Sequence, residues 1–125
     1  MIRLAISDDV SYLKYLRKRT FHFIIKKSQY WIPIKDIVYF SSEGRRICVV
    51  SLYEKYYFYD KLDAIHNKML KKENLFIRIH KSYLVNVCHI KMYEPDNVIV
   101  IGNERLPISR SKKVQIKNIL QKMRK

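Results

Sequence analysis

The chain is poor in the residues that loosen a polypeptide. Of 125 residues only two are glycine and three are proline, which argues against a low-complexity or disordered chain. Acid is scarce as well. Eleven Asp and Glu stand against twenty-six Lys and Arg, a net charge of +15. No stretch approaches the roughly 18 consecutive apolar residues of a membrane-spanning helix. The acidic pair Asp8–Asp9 falls where a secretory signal peptide would carry its cleavage region. Two cysteines, Cys48 and Cys88, fit a reducing compartment. Both lie in apolar, strand-like runs and read as core residues, with a redox switch between them as the alternative. These absences imply a cytoplasmic protein without membrane insertion.

Familiar catalytic patterns are missing too. There is no phosphate-binding glycine loop and no His-Glu-x-x-His. None of His22, His66, His80 and His89 is paired with a carboxylate at local spacing. Cys88-His89 with His80 is too loose for tetrahedral zinc. A binding protein with no cofactor is therefore expected rather than an enzyme.

What is present is apolar surface and positive charge. At 48% hydrophobic and 13% aromatic residues, the chain supports the core of one domain, or of one domain with a short appendage. A small domain this basic repels itself unless a polyanion is near. Nucleic acid is the first candidate and an anionic membrane surface the second. A lysine bias inherited from an AT-rich genome would give the same charge without either.

Along the chain, Ile2, Leu4 and Ile6 alternate as in a strand. Val10, Leu13 and Leu16 recur at helical spacing behind the capping residues Ser7, Asp8 and Asp9. Arg17-Lys18-Arg19 reads as a basic junction, either a solvated linker or a phosphate-contacting arm. Strands are expected over 20–26, with Phe21, Phe23 and Ile25 on one face, then over 30–34, 37–40, 47–52 and 56–59. A turn is expected at Lys27-Ser28-Gln29 and a hairpin loop from Ser41 to Arg46. Asp60 would cap a helix over 61–70 with the stripe Leu62, Ile65 and Met69, ended by Lys71-Lys72-Glu73-Asn74. Further strands over 87–92, 98–101 and 105–108 are separated by a turn at 94–97 and by Gly102-Asn103. Ile116, Ile119, Leu120 and Met123 then mark a C-terminal helix. Its start is basic, at Arg110, Lys112 and Lys113. Cations there oppose the helix dipole by a few tenths to about 1 kcal/mol each, and a bound anion reverses that sign. Many short strands with few helices make a mostly β, antiparallel domain.

The most informative stretch is Phe76 to Asn86. Its strand alternation fails at His80-Lys81-Ser82 and resumes as the apolar run Tyr83-Leu84-Val85. Arg78, His80 and Lys81 donate hydrogen bonds when charged, and Ser82 donates or accepts. That chemistry suits phosphate oxygens and base edges, although a basic turn between two core strands would look the same. Phe76-x-Arg78-x-His80-Lys81-Ser82-Tyr83-Leu84-Val85-Asn86 resembles the central signature of the LytTR family of DNA-binding domains. The stretch from Ile34 to Phe40 resembles the family's early strand, and Leu106-Pro107-Ile108-Ser109-Arg110 its closing motif. The likeness runs from about Thr20 to the C-terminus.

The resemblance implies a particular fold. It is an elongated stack of small antiparallel sheets with one short internal helix and a C-terminal helix, reading DNA through loops. It also implies a sequence-specific double-stranded-DNA-binding transcription regulator acting at repeated sites, with two copies bound. Carried over, Arg45 or Arg46 sits in a hairpin that enters a major groove. Lys81 takes the base-contacting place of the corner. Arg110 takes the contact in the closing motif that begins at Ser109, with Ser111, Lys112 and Lys113 as alternatives in register. Arg78, like Lys26, Lys27 and Lys55, suits a phosphate or nothing. His80 is either a phosphate donor or a ring packed against tyrosines. Residues 1–19 resemble the opening of a response-regulator receiver domain too short to carry phosphotransfer, leaving 20–125 as the DNA-binding domain and the upstream sensor partner unidentified. The competing reading is an RNA-binding protein or small basic ribonuclease, in which Tyr53, Tyr56, Tyr57 and Tyr59 would stack bases.

Overall fold

A five-stranded antiparallel sheet is buried on both of its faces, and everything else is arranged on one side or the other. The computed structural model describes residues 10–72 and 75–124. Helix α1 (Val10–Arg19) is followed by the ribbon β1 (Thr20–Ile25) and β2 (Ser28–Pro33). The central sheet contains β3 (Ile37–Glu43), β4 (Arg46–Ser51), β5 (Lys55–Tyr59), β6 (Phe76–His80) and β7 (Tyr83–Asn86) in the order β5-β4-β3-β7-β6. Helix α2 (Leu62–Lys72) connects β5 to β6. A three-stranded sheet of β8 (Ile90–Tyr93), β9 (Asn97–Val100) and β10 (Arg105–Pro107) precedes helix α3 (Lys113–Lys122). Three small antiparallel sheets with few helices are the architecture the sequence implies.

The strand period of two sends alternate side chains into two separate cores. On one face Phe40, Ile47, Val49 and Phe76 meet Phe21 and Phe23 of the ribbon and Leu62, Ile65 and Met69 of α2. All three stripe residues of α2 are buried, as their spacing requires. Aromatic rings hold the ribbon down, with Phe21 edge-on to Phe40 at 5.0 Å and Phe23 stacked on Phe58 at 4.9 Å. On the other face Tyr39, Cys48, Val50, Ile79 and Val85 meet β9, β10 and the α3 residues Ile116 and Leu120. A bulge between Ile37 and Tyr39 lets the consecutive residues Val38 and Tyr39 both serve this second core. The Tyr39 hydroxyl donates to Glu104, in the loop between β9 and β10. Burial, and then that carboxylate, push the Tyr39 pKa far up, so the hydroxyl keeps its proton.

Several elements depart from the sequence reading. The first hairpin turns at Lys26-Lys27, with Ile25 opposite Ser28, rather than at Lys27-Ser28-Gln29. Lys26 sits in the left-handed region at φ 56°, where glycine or asparagine would have announced the turn. Ser41 to Glu43 continue β3, so the loop before β4 shrinks to Gly44-Arg45. Val87–His89 is a single 3-10 turn instead of strand, and it leaves Cys88 exposed. Cys48 is buried in the second core, and burial pushes its thiol pKa up, away from thiolate reactivity. Met123 is exposed past the end of α3. Arg17-Lys18-Arg19 forms the last turn of α1 rather than a junction. That helix buries none of its side chains, including Val10, Leu13 and Leu16. Its C-terminal end is tied by Lys72 Nζ donating to the Arg17 carbonyl at 2.7 Å. The expected strand over 2–6 with its cap, and Glu73-Asn74 at the end of α2, lie outside the described residues. Among the described residues no helix is long and apolar enough to cross a membrane.

Among the described residues, Asn86 is the one fully buried side-chain amide. Its Nδ2 donates to the Ile37 carbonyl and its Oδ1 accepts from the Cys88 N–H, each at 2.9 Å. It therefore fixes the exit of β7 against the entry of β3. Replacing Asn86 with alanine orphans both backbone partners. Urea denaturation should report a loss of roughly 2–4 kcal/mol, the cost of leaving two buried polar groups unsatisfied.

Candidate nucleic-acid interface

The signature stretch folds as a hairpin whose tip is the polar corner. β6 and β7 pair from Phe76↔Asn86 to His80↔Tyr83, with a bulge between Arg78 and His80 that takes Ile79 out of register and into the second core. The bulge and the turn together would leave carbonyls pointing outward. Arg78 satisfies them. Its Nε donates to the His80 carbonyl at 2.8 Å and its Nη2 to the Lys81 carbonyl at 2.6 Å. Its Nη1 donates to Asp63 on α2, also at 2.8 Å. The Arg78 side chain is only 15% exposed. Its role is to hold the corner in shape, and it presents little of its guanidinium to an outside phosphate.

Within the corner, the Ser82 N–H donates to His80 Nδ1 at 3.0 Å. The neutral ring consequently keeps its proton on Nε2 and offers one donor. The ring also packs on Tyr83 at 5.6 Å, which is the packing role considered for His80. The Ser82 carbonyl accepts from the Ser42 N–H at 2.9 Å, which brings the corner beside the end of β3. On the other side, the Ser109 N–H donates to the Ile79 carbonyl at 2.9 Å and seats the closing motif against β6.

These backbone ties produce two adjoining clefts. The larger, about 780 Å³, lies between the Gly44-Arg45 turn, the start of α2 and the corner, and is lined by Arg45, Lys61, Arg78 and Lys81 among others. The second, about 520 Å³, is lined by Asp63, His66, Arg78, His80, Lys81, Ser109, Ser111 and Lys112. Arg78, Asp63 and Lys81 belong to both clefts and form the wall between them. Seven of the expected residues are thus gathered on adjoining surfaces: Arg45, Arg78, His80, Lys81, Ser109, Ser111 and Lys112. The rest are placed differently. Arg46 stacks its guanidinium over Tyr57 at 4.5 Å and lines neither cleft. Arg110 is exposed on the single 3-10 turn Arg110–Lys112. Lys113 forms an ion pair with Asp96. Of the tyrosines considered for base stacking, Tyr56 packs into the first core, while Tyr53 and Tyr59 are exposed.

Asp63 and His66 were missed. They stand three apart on α2 and line the same cleft, so a histidine and a carboxylate do share local spacing, contrary to the sequence reading. The stripe Leu62, Ile65, Met69 already placed them on the flank of the helix. That this flank meets the corner is decided by tertiary packing. The Arg78 hydrogen bond and charge hold the Asp63 carboxyl below the ordinary carboxylate value. His66 is pushed down from its ordinary value, first by burial and then by the cations Arg78 and Lys112, with Asp63 opposing. Among the described residues, no three His, Cys, Asp or Glu side chains gather as a metal-ligand set.

A basic, loop-built face on a frame of antiparallel sheets has the chemistry of a nucleic-acid-binding module. The comparisons place it further: the model of the LytTr DNA-binding domain matches residues 27–121, so the chain belongs to the LytTR DNA-binding domain family. It is similar to the sensory transduction protein LytT of Bacillus cereus, at 28% identity over 102 residues, covering 78% of this chain and 41% of that protein. It is also similar to LytT of Bacillus subtilis, at 30% identity over 94 residues, covering 71% of this chain and 38% of that one. The chain thus spans about two-fifths of the length of the curated relatives it matches. The fold is that of a LytTr DNA-binding domain from a Bacillus cereus protein described as a methyl-accepting/DNA response regulator. The TM-score is 0.70 at 22% identity, over 82% of this chain and 96% of that one. The resemblance of residues 1–19 to the start of a receiver finds no support in these comparisons.

The Arg78–Asp63 pair gives a pH signature. A carboxylate whose pKa is lower in the folded chain than in the unfolded one stabilises above the unfolded value and loses that contribution as pH falls through the folded value. Asp63→Asn should accordingly be less stable than wild type near pH 7. The gap should close as pH drops below about 4, measured by urea denaturation across that range.

Proposed function

We propose that the protein is a sequence-specific regulator of transcription that binds double-stranded DNA through loops, without catalysis and without a cofactor. The observation that carries this reading is the pair of adjoining clefts, in which Arg45, Lys81, Ser111 and Lys112 converge from three separate loops around one wall. Side chains that converge from rigid hairpins can enter a groove together, as β-built readers require. Family membership supports DNA as the partner.

In this reading Arg45 and Lys81 contact base edges from the larger cleft, and Arg110 does so from the exposed closing turn. Arg46, Ser109, Ser111, Lys112 and Lys113 contact the backbone or the flanks. Arg78, His80 and Ser82 belong to the corner, where Arg78 positions and His80 offers its Nε2–H. A lysine at position 81 lacks the bidentate donor–acceptor pair with which asparagine holds adenine. It would therefore donate to guanine or to a phosphate. We place the DNA-binding domain at 20–125 and treat residues 1–19 as an appendage. Repeated sites occupied by two copies, a cytoplasmic location and an upstream sensor complete the proposal. A charge of +15 suits fast, salt-sensitive association with a polyanion.

Selection of bound duplexes from a random DNA pool tests it. Wild type should recover a repeated motif that competitor RNA does not displace. Arg45→Ala, Lys81→Ala and Arg110→Ala should each relax preference at one base pair, by about 1–3 kcal/mol of discrimination. The slope of log K against log salt should be about −0.9 for each phosphate contacted. Recovery of no motif, with RNA competing equally, would refute sequence-specific DNA recognition.

A further inference from the structure

His66 lies outside the three motifs that carry the family likeness, yet it lines the second cleft beside residues of the corner and the closing motif. Its surroundings are polar and largely basic. Arg78 and His80 face the cleft from β6, Lys81 from the corner, Ser109, Ser111 and Lys112 from the closing turn, and Asp63 from its own helix. Only one of these groups is a carboxylate, and that carboxylate already accepts from Arg78 at 2.8 Å. A cleft with three cations, two imidazoles and two hydroxyls against one carboxylate is short of negative charge, and a DNA phosphate would provide it.

We propose that His66 is a further DNA-phosphate contact and that its imidazole takes up a proton when the duplex docks, so that affinity rises as pH falls. The inference rests on the DNA-binding reading given above. In the free protein, partial burial and then the cations Arg78 and Lys112 push the pKa of the ring down and disfavour a further positive charge in the cleft. A phosphate oxygen in the cleft offsets both cations and gives the imidazolium a hydrogen-bond partner. The complex then holds one more proton than its separated parts. By linkage, its association constant rises as pH falls, by up to about tenfold per pH unit for one proton. His80 is poorly suited to this role, because its Nδ1 already accepts from the Ser82 N–H at 3.0 Å, and protonation there would break that bond. The rings of His22 and His89 bond Gln29 and the Lys35 carbonyl, and neither residue lines the cleft.

The test uses the full chain with two probes, a random-sequence duplex at low salt and the duplex recovered by selection. Dissociation constants are measured from pH 8 to pH 5.5 at fixed ionic strength for wild type, His66→Gln and His66→Lys. In parallel, proton NMR follows the His66 ring of wild type with and without the random-sequence duplex. Wild type should tighten toward low pH, His66→Gln should lose that tightening, and His66→Lys should bind with little dependence on pH. The wild-type ring should titrate at a higher pH in the complex than alone. Parallel slopes for wild type and His66→Gln, or one midpoint for the ring in both states, would overturn the inference while leaving DNA binding intact. Failure of wild type to bind either duplex at any pH would instead overturn the DNA-binding reading itself.

Discussion

The shape of the basic corner depends on a single guanidinium. Arg78 bonds two carbonyls of the corner and the carboxylate of Asp63. Without it, a bulged hairpin tip would expose unsatisfied carbonyls, and the hydrogen bond from the corner to Asp63 of α2 would be lost. A lysine in that place would not serve, because an ammonium lacks the planar fork that reaches several acceptors in fixed directions. The positive charge most prominent in the signature motif is thus structural. The charges free to meet a ligand, Arg45, Lys81 and Lys112, surround it.

The central sheet explains how that face is assembled. Because both sides of the sheet are buried, the elements flanking it are fixed independently, the ribbon and α2 by one core and the three-stranded sheet and α3 by the other. The end of β6 lies where the two meet. Phe76 belongs to the first core and Ile79 to the second. The hairpin tip is consequently gripped from both sides, with α2 approaching on one and the closing motif, held by the Ser109–Ile79 hydrogen bond, on the other. Residues as distant in sequence as Arg45 and Lys112 come to line adjoining clefts through two cores that share five strands.

Much of this was legible in the chain beforehand. The strands from Thr20 onward, the stripe of α2 and the hydrogen-bonding corner follow from period and polarity alone, and the motifs added the stack of small antiparallel sheets. What escaped has physical reasons. The Lys26-Lys27 turn carries no turn residue, so only the pairing of β1 with β2 reveals it. The apolar Val87-Cys88-His89 looks like strand, but Asn86 bonds the Cys88 N–H and starts a 3-10 turn. Arg46 and Lys113 are as basic as Arg45 and Lys112, yet Tyr57 and Asp96 hold them elsewhere. Sequence periodicity could place Asp63 and His66 on the flank of α2, but not that flank against the corner.

The separation of frame from reading face has a consequence for how such a protein can diversify. Arg78, Asp63 and Asn86 maintain the shape of the hairpins, and their replacement would be felt throughout the fold. Arg45, Lys81 and Ser111 project from turns and bury no core surface. Descendants of this chain can exchange those three almost freely while inheriting an unaltered scaffold.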